Sequence, residues 1–198
     1  MIDQVVEAIR AGKPVILPTD TVYGLCSDPY REEPVRLLYR LKGREEVRPT
    51  ALLAADVDVL LDAVPELRGL AGKTARALLP GPYTLILPNP ARRFRWLTGN
   101  RPDTIGVRVP ELAGDARSVL DQVGAVAATS ANLPGGRDPR RLEDISEELL
   151  AGCAAALDAG ELPGTPSTVL DLTGSEPVVL REGAVPAAEA LGRLMAVT

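Results

Sequence analysis

Five groups of residues carry side chains suited to holding small anions. Pro18-Thr19-Asp20-Thr21-Val22-Tyr23-Gly24 gathers hydroxyls around one carboxylate directly after the apolar run Val15-Ile16-Leu17. The loop that follows a buried strand is where open α/β sheets place their ligand contacts. Pro18, Asp20 and Gly24 would also build a turn unaided. Lys42-Gly43-Arg44 sets two cations astride a glycine at the end of an amphipathic run. Cations there answer a helix dipole; they can equally clamp a polyphosphate, because glycine lets the backbone approach and the two charges reach different oxygens. In Thr104-Ile105-Gly106-Val107-Arg108-Val109-Pro110 an arginine interrupts an apolar strand. A guanidinium buried there needs an anion, either an internal carboxylate or that of a ligand. Ser167-Thr168-Val169 and Val179-Leu180-Arg181-Glu182-Gly183 repeat the theme, with a polar or cationic residue at the end of an apolar strand.

Much chemistry is excluded. The chain contains no histidine, which removes Ser-His-Asp triads, Cys-His pairs and any zinc site with an imidazole ligand. Cys26 and Cys153 lie far apart and form no CxxC, so neither a metal cluster nor a disulfide framework is expected. Metal use is expected only as Mg²⁺ carried by a phosphate substrate. Gly72-Lys73-Thr74 is no P-loop, since Leu67 stands where the motif needs glycine. Ser130-Ala131-Asn132 lacks the SxxK that would accompany it in a penicillin-binding enzyme. A net charge of -5 and a pI near 4.9 argue against a protein that coats nucleic acid. A local basic patch at Arg92, Arg93, Arg95 and Arg101, interleaved with Phe94 and Trp96, nevertheless has the composition of a single-strand RNA surface. No apolar run reaches the length of a membrane helix, and the acids inside the first helical pattern do not suit a signal peptide, so a cytoplasmic location is expected.

The elements that must position these residues follow from periodicity. Ile2, Val5, Val6 and Ile9 recur at helical spacing ahead of Gly12, and residues 14–18 read as a short buried strand. Residues 18–24 form a loop. A helix then carries Val35, Leu37, Leu38 and Leu41 and ends at Lys42-Gly43-Arg44. Strands are expected at 50–54, 83–87, 104–109 and 125–128, and two helices over 56–78 broken at Pro65. A loop or hairpin tip is expected over 91–101, helices near 115–123, 141–151 and 186–196, and three strand-like runs before the last helix. The 198 residues show no linker, low-complexity tract or repeat, so one α/β domain with a mixed sheet spans 1–198.

Taken in order, PTDTVYGL (18–25), KGR (42–44), LPGPYTLIL (79–87), TIGVRVP (104–110), TSAN (129–132), STVLD (167–171) and LREGAV (180–185) resemble the YrdC-like family over nearly the whole chain. The resemblance implies a twisted mixed α/β sheet with flanking helices around a large open cavity. It also implies L-threonylcarbamoyladenylate synthesis: L-threonine, bicarbonate and ATP, with Mg²⁺, become threonylcarbamoyl-AMP and pyrophosphate. A partner tRNA threonylcarbamoyl-transferase then passes the group to certain tRNAs. Similarity puts the threonine ligands at Thr21, Arg108 and Ser167 and the ATP ligands at Arg44, Thr104, Ser130 and Arg181, with Lys42 and Arg44 as catalytic residues near the phosphates and backbone around Ala128 lining the cavity. No resident cofactor or protein-borne metal site is implied.

The chain departs from the family pattern at three places. Glu45 follows Arg44, and Arg48 precedes Pro49 where many relatives carry asparagine, so Arg48 is expected to take over a nucleotide contact. Leu53 occupies a position often held by histidine and offers no hydrogen bond, and near Asp138 a serine common in relatives is missing. The alternatives are a non-catalytic RNA-binding or ribosome-associated module, with weak binding of structured RNA through its basic rim, and a paralogue that adenylates another carbamate. Hydrogenase-maturation chemistry ranks below these, since the acylphosphatase and zinc-finger segments that accompany it are absent from this sequence.

Overall fold

A computed structural model describes residues 1–196; the last two residues of the expected domain lie outside the described residues. The elements run α1 (Ile2–Arg10), β1 (Val15–Pro18), β2 (Tyr23–Ser27), α2 (Glu32–Lys42), β3 (Ala51–Ala54), α3 (Val57–Ala63), α4 (Leu70–Leu78), β4 (Tyr83–Pro88) and β5 (Thr104–Arg108). They continue with α5 (Gly114–Val123), β6 (Ala125–Ser130), α6 (Glu147–Ala151), β7 (Ala155–Ala156), β8 (Thr168–Asp171), β9 (Val178–Arg181) and α7 (Ala187–Met195). All nine strands join one sheet in the order β7-β1-β2-β6-β3-β5-β4-β8-β9. Pairs β1/β7, β3/β5 and β4/β8 are parallel and the others antiparallel, so the sheet is mixed as expected.

Strand alternation divides the apolar residues between the two faces. Ile16, Tyr23, Leu25, Leu52, Ala54, Leu85, Leu87, Ile105, Val107, Ala127 and Leu170 point to one side. There they form a core with Val35 and Leu38 of α2, Leu60 of α3, Leu78 of α4, Leu149 of α6 and Leu194 of α7. Val15, Leu17, Cys26, Leu53, Val126 and Ala128 point to the other, where α1 and α5 cover them with Val5, Val6, Ile9, Val119 and Leu120. These two helices reach only the β7-β1-β2-β6-β3 end. The same face over β5, β4 and β8 carries Thr104, Gly106, Arg108, Thr84, Ile86 and Val169, and these line an open cavity instead of a second core.

Two expectations need correction. The loop expected over 18–24 ends early, because Tyr23 and Gly24 open β2 and pair with Pro18 and Leu17. The turn is therefore only Thr19–Val22, closed by the Thr19 hydroxyl, which accepts the N–H groups of Thr21 and Val22, each at 3.2 Å, and donates to the Val22 carbonyl at 2.7 Å. Such Ser/Thr turns are invisible to apolar periodicity. The single helix expected over 141–151 is broken: Leu142–Asp144 make one 3-10 turn, Ile145 is extended, and Ser146 caps α6 by accepting from Leu149 N–H. The serine competes with a continuous helix by offering a better N-terminus. The 91–101 stretch is a loop with one 3-10 turn at Arg95–Leu97, and the break at Pro65 is a 3-10 turn between α3 and α4. Gly43 ends α2 in the left-handed conformation, φ 62°, which glycine adopts at least cost.

Tyr23 ties this turn to the segment between β7 and β8. Its buried ring carries a hydroxyl 2.9 Å from Asp158 Oδ1 and 2.8 Å from the Gly160 carbonyl, and the same oxygen accepts the Ala159 N–H at 2.9 Å. Tyr23→Phe leaves that N–H without its acceptor and should lower stability by about 1–3 kcal/mol in urea unfolding with an unchanged m-value; an unchanged midpoint would show that water replaces the hydroxyl at no cost.

Candidate active site

The cavity on the uncovered face has a volume of about 280 Å³ and is open to solvent. β5 supplies its floor through every second residue, with Ile105 and Val107 turned into the core and Thr104, Gly106 and Arg108 turned outward. The turn after β1, the ends of β3 and β6, and the residues around β8 and β9 make the walls.

At one corner Arg108 is held in place by the turn after β1. Its Nη2 donates to Asp20 Oδ1 at 2.7 Å and to Thr21 Oγ1 at 3.2 Å, and Asp20 Oδ2 accepts the Glu111 N–H at 3.3 Å. The two charged side chains are only 11% and 8% exposed. Burial pushes the Asp20 carboxyl up, and the Arg108 charge opposes that shift. Burial likewise lowers the Arg108 pKa; Asp20 counters it, and the neighbouring charge of Arg181 adds to the lowering. The Arg108 Nε is buried with no hydrogen-bond partner among the described residues.

An adjoining wall is built on Ser167. Its carbonyl accepts from Arg181 Nη2 at 2.8 Å and Nε at 3.1 Å, and its hydroxyl shares a 2.8 Å hydrogen bond with Thr84 Oγ1. The close approach of β9 depends on Gly183, since a Cβ there would stand 2.2 Å from the Pro166 carbonyl oxygen. Only a residue without a side chain lets the Arg181 strand end lie against Ser167.

The KGR sequence serves two adjoining pockets. Arg44 lines the main cavity, donating from Nη2 to the Pro49 carbonyl at 2.7 Å and from Nη1 to Thr129 Oγ1 at 3.2 Å; its Nε is buried and without a partner among the described residues. Lys42 lies behind it, 4% exposed, in a neighbouring pocket that shares Arg44 and Ser130. The Lys42 ammonium donates to the Ser130 carbonyl at 2.5 Å, the Asn132 carbonyl at 2.7 Å and Asn132 Oδ1 at 2.8 Å. Three such acceptors take up the three protons of an ammonium. Burial, then the charge of Arg44, lower its pKa to about 8. Ser130 Oγ donates in turn to Asn132 Oδ1 at 2.6 Å. Lys42 thus fixes the end of β6 that presents Ser130 to the cavity.

Of the residues expected to form a site, Thr21, Arg44, Thr104, Arg108, Ser130, Ser167 and Arg181 line this one cavity, with Ala128 beside them. Lys42 and Arg48 line the neighbouring pocket, and Arg48 reaches Glu45 at 3.9 Å. Leu53 is buried under α1 and α5, beside Arg108 in the sheet, so that position contributes packing here. Asp138 lines the cavity. Asp20, Thr84, Arg101 and Asn132 were missed as site residues. Strand alternation could have found Thr84, and the SxN spacing Asn132; Asp20 and Arg101 are brought in by pairings across 88 and 70 residues, which no local pattern reveals. The expected basic patch is largely neutralised, for Arg92, Arg93 and Arg101 pair with Asp103, Glu66 and Asp171. Among the described residues no helix is long and apolar enough to cross a membrane, and no three carboxylate or thiol side chains gather where they could cage a metal ion.

The Sua5/YciO/YrdC family model, described as telomere recombination, matches residues 7–183. A threonylcarbamoyl-AMP synthase of Pyrococcus abyssi is 35% identical over 91% of this chain, which spans 53% of that relative's length. The crystal structure of P. abyssi Sua5 complexed with L-threonine superposes with a TM-score of 0.88 at 33% identity, over 99% of this chain and 57% of that one. The crystal structure of Escherichia coli YciO, nearer in length, gives 0.83 at 29% identity over 96% of this chain and 92% of its own. With a family model matching most of its length and two such superpositions, the chain belongs to the Sua5/YciO/YrdC family.

Proposed function

We propose that the cavity takes up L-threonine, bicarbonate and ATP and forms threonylcarbamoyl-AMP with release of pyrophosphate, as a nucleotidyl transfer to a threonine-derived carbamate. One observation carries this assignment. Arg44, Arg108 and Arg181 come from distant parts of the chain yet line a single hollow together with the hydroxyls of Thr21, Thr104, Ser130 and Ser167. The likeness to a relative solved with L-threonine supports the amino acid, and the likeness to the P. abyssi threonylcarbamoyl-AMP synthase supports the product.

The chemistry suits a site without imidazole. The threonine amine adds to bicarbonate with loss of water, a carbamate oxygen attacks the α-phosphorus in line, and pyrophosphate departs. Each step crowds negative oxygens together, so positioning and charge neutralisation are the main demands. The Arg108 guanidinium takes the threonine carboxylate, with Thr21 and Ser167 beside it. Arg44 and Arg181 face the phosphates, and Thr104 and Ser130 hold the nucleotide. Lys42 acts through Ser130 and Asn132 as a positioning residue. Mg²⁺ would come with the triphosphate and help neutralise its charge; the lining of hydroxyls and guanidinium groups, with the one carboxylate of Asp138, is a donor set for anions more than a cage for the ion. The product's consumer is a tRNA-modifying transferase, which sets the work in the cytoplasm. The ion pairs of Arg92, Arg93 and Arg101 engage three of the four arginines of the basic rim, which fits weak rather than tight binding of structured RNA.

Pyrophosphate release should require threonine, bicarbonate and ATP together. Arg108→Lys keeps the charge but loses the fork, and should raise the KM for threonine about tenfold or more with the KM for ATP unchanged. Arg44→Lys should cut turnover about a hundredfold in a folded protein. Wild-type rates from both variants would refute the assignment.

A pH profile tests Lys42. Its charged form prevails below about pH 8; above that, a neutral amine has one N–H too few for its three acceptors. Activity should therefore fall as pH rises through about 8, and Lys42→Arg should carry the decline to higher pH. The folded state releases this proton before the unfolded chain does, so the group's own contribution to stability rises with pH between about 8 and 10.5. Loss of activity without loss of Tm over that window is the expected signature, and a parallel fall of both would point to unfolding instead.

A further inference from the structure

Gly106 occupies the middle of the cavity floor. It pairs with Ile86 of β4, while Ala51 lies across from it on β3 and pairs in turn with Ala128 of β6. The floor therefore drops from methyl groups to a bare backbone at one point, midway between Thr104 and Arg108 on the same face of β5. Two residues along a strand span about 7 Å, so Thr104 and Arg108 stand on opposite sides of this gap.

Glycine is a poor strand residue, because it loses more backbone freedom than others and has nothing to pack. The protein's own geometry excludes a side chain at Gly99, where a Cβ would come within 2.2 Å of the Val47 carbonyl oxygen, and at Gly183. Gly106 is different. A Cβ there would meet Thr84 Cγ2 at 3.9 Å and Ala51 Cα at 4.0 Å, ordinary van der Waals contact, and its φ does not lie in the left-handed region. Nothing in the folded chain needs a glycine at this position; only the cavity gains by it.

We infer that Gly106 keeps open the part of the floor where the nucleotide and the amino acid meet, so that it determines whether both substrates can be bound in contact. This rests on the assignment of Thr104 to the nucleotide and Arg108 to threonine. A side chain at 106 rises between the two subsites without entering either. Each ligand still finds its own anchors, but the carbamate and the α-phosphorus are held apart, and a displacement of about 1 Å costs on the order of a hundredfold in rate.

Gly106→Val and Gly106→Ala separate this from a structural role. Thermal unfolding gives the fold, calorimetry gives the affinity for threonine alone and for ATP alone, and pyrophosphate release gives the reaction. Both variants should unfold at or above the wild-type Tm and bind each ligand alone within about threefold of wild type. Turnover should fall about tenfold in Gly106→Ala and at least about a hundredfold in Gly106→Val. Wild-type turnover in Gly106→Val overturns the inference, as does a Tm lowered in both variants or loss of either single ligand. Failure of the unmodified protein to release pyrophosphate with threonine would sink the substrate assignment and this inference with it, whereas a fully active Gly106→Val sinks the inference alone.

Discussion

A guanidinium taken out of water must be answered by a carboxylate, and the contact between Arg108 and Asp20 is where this molecule meets that demand. The pair joins β5, in the right half of the sheet, to the turn after β1 in the left half, with β2, β6 and β3 between them in the strand order. It thereby fixes the corner of the cavity at which Thr21 and the free Nε of Arg108 lie together. The arrangement is expensive, since both groups are shifted toward their neutral forms by burial. The expense is met by hydrogen bonds to Thr21 and to the Glu111 N–H, not by exposure.

The unequal covering of the sheet explains where the cavity lies. On one face α2, α3, α4, α6 and α7 form a continuous core beneath all but the outermost strands. On the other, α1 and α5 cover the β7-to-β3 end and stop. Beyond them the outward residues change from Val, Leu and Cys to a set in which Thr84, Thr104, Gly106 and Arg108 stand beside Ile86 and Val169, while the strands remain strands. The polarity of those positions is what a surface facing ligands requires, and the neighbouring apolar positions on the same strands keep β5, β4 and β8 anchored.

This division was largely legible in the sequence. Arg108 stood out as a cation inside an apolar strand that needs an anion, and the helix ending at Lys42-Gly43-Arg44 stops where the glycine predicts. Strand and helix positions followed from periodicity because burial enforces it. What escaped was set by hydroxyl geometry and by long-range pairing. The Thr19 turn shortened the expected loop and freed Tyr23 to start β2; Ser146 broke a helix that apolar spacing alone would have continued. Lys42 and Arg44 were expected side by side, and they do share one pocket, but only Arg44 also reaches the main cavity. Asp20 stood within a recognised sequence group, yet only the fold identifies its partner.

The walls of the cavity come from Thr19 at one extreme of the chain and Arg181 at the other, and β1 itself pairs with β7, well over a hundred residues later. Such non-local strand pairing makes folding slow relative to helical proteins of the same size. During synthesis the early strands leave the ribosome long before β8 and β9 exist. A nascent chain therefore carries the Arg108 corner without its Ser167 and Arg181 wall, and the cavity is not complete until almost all of the protein has emerged.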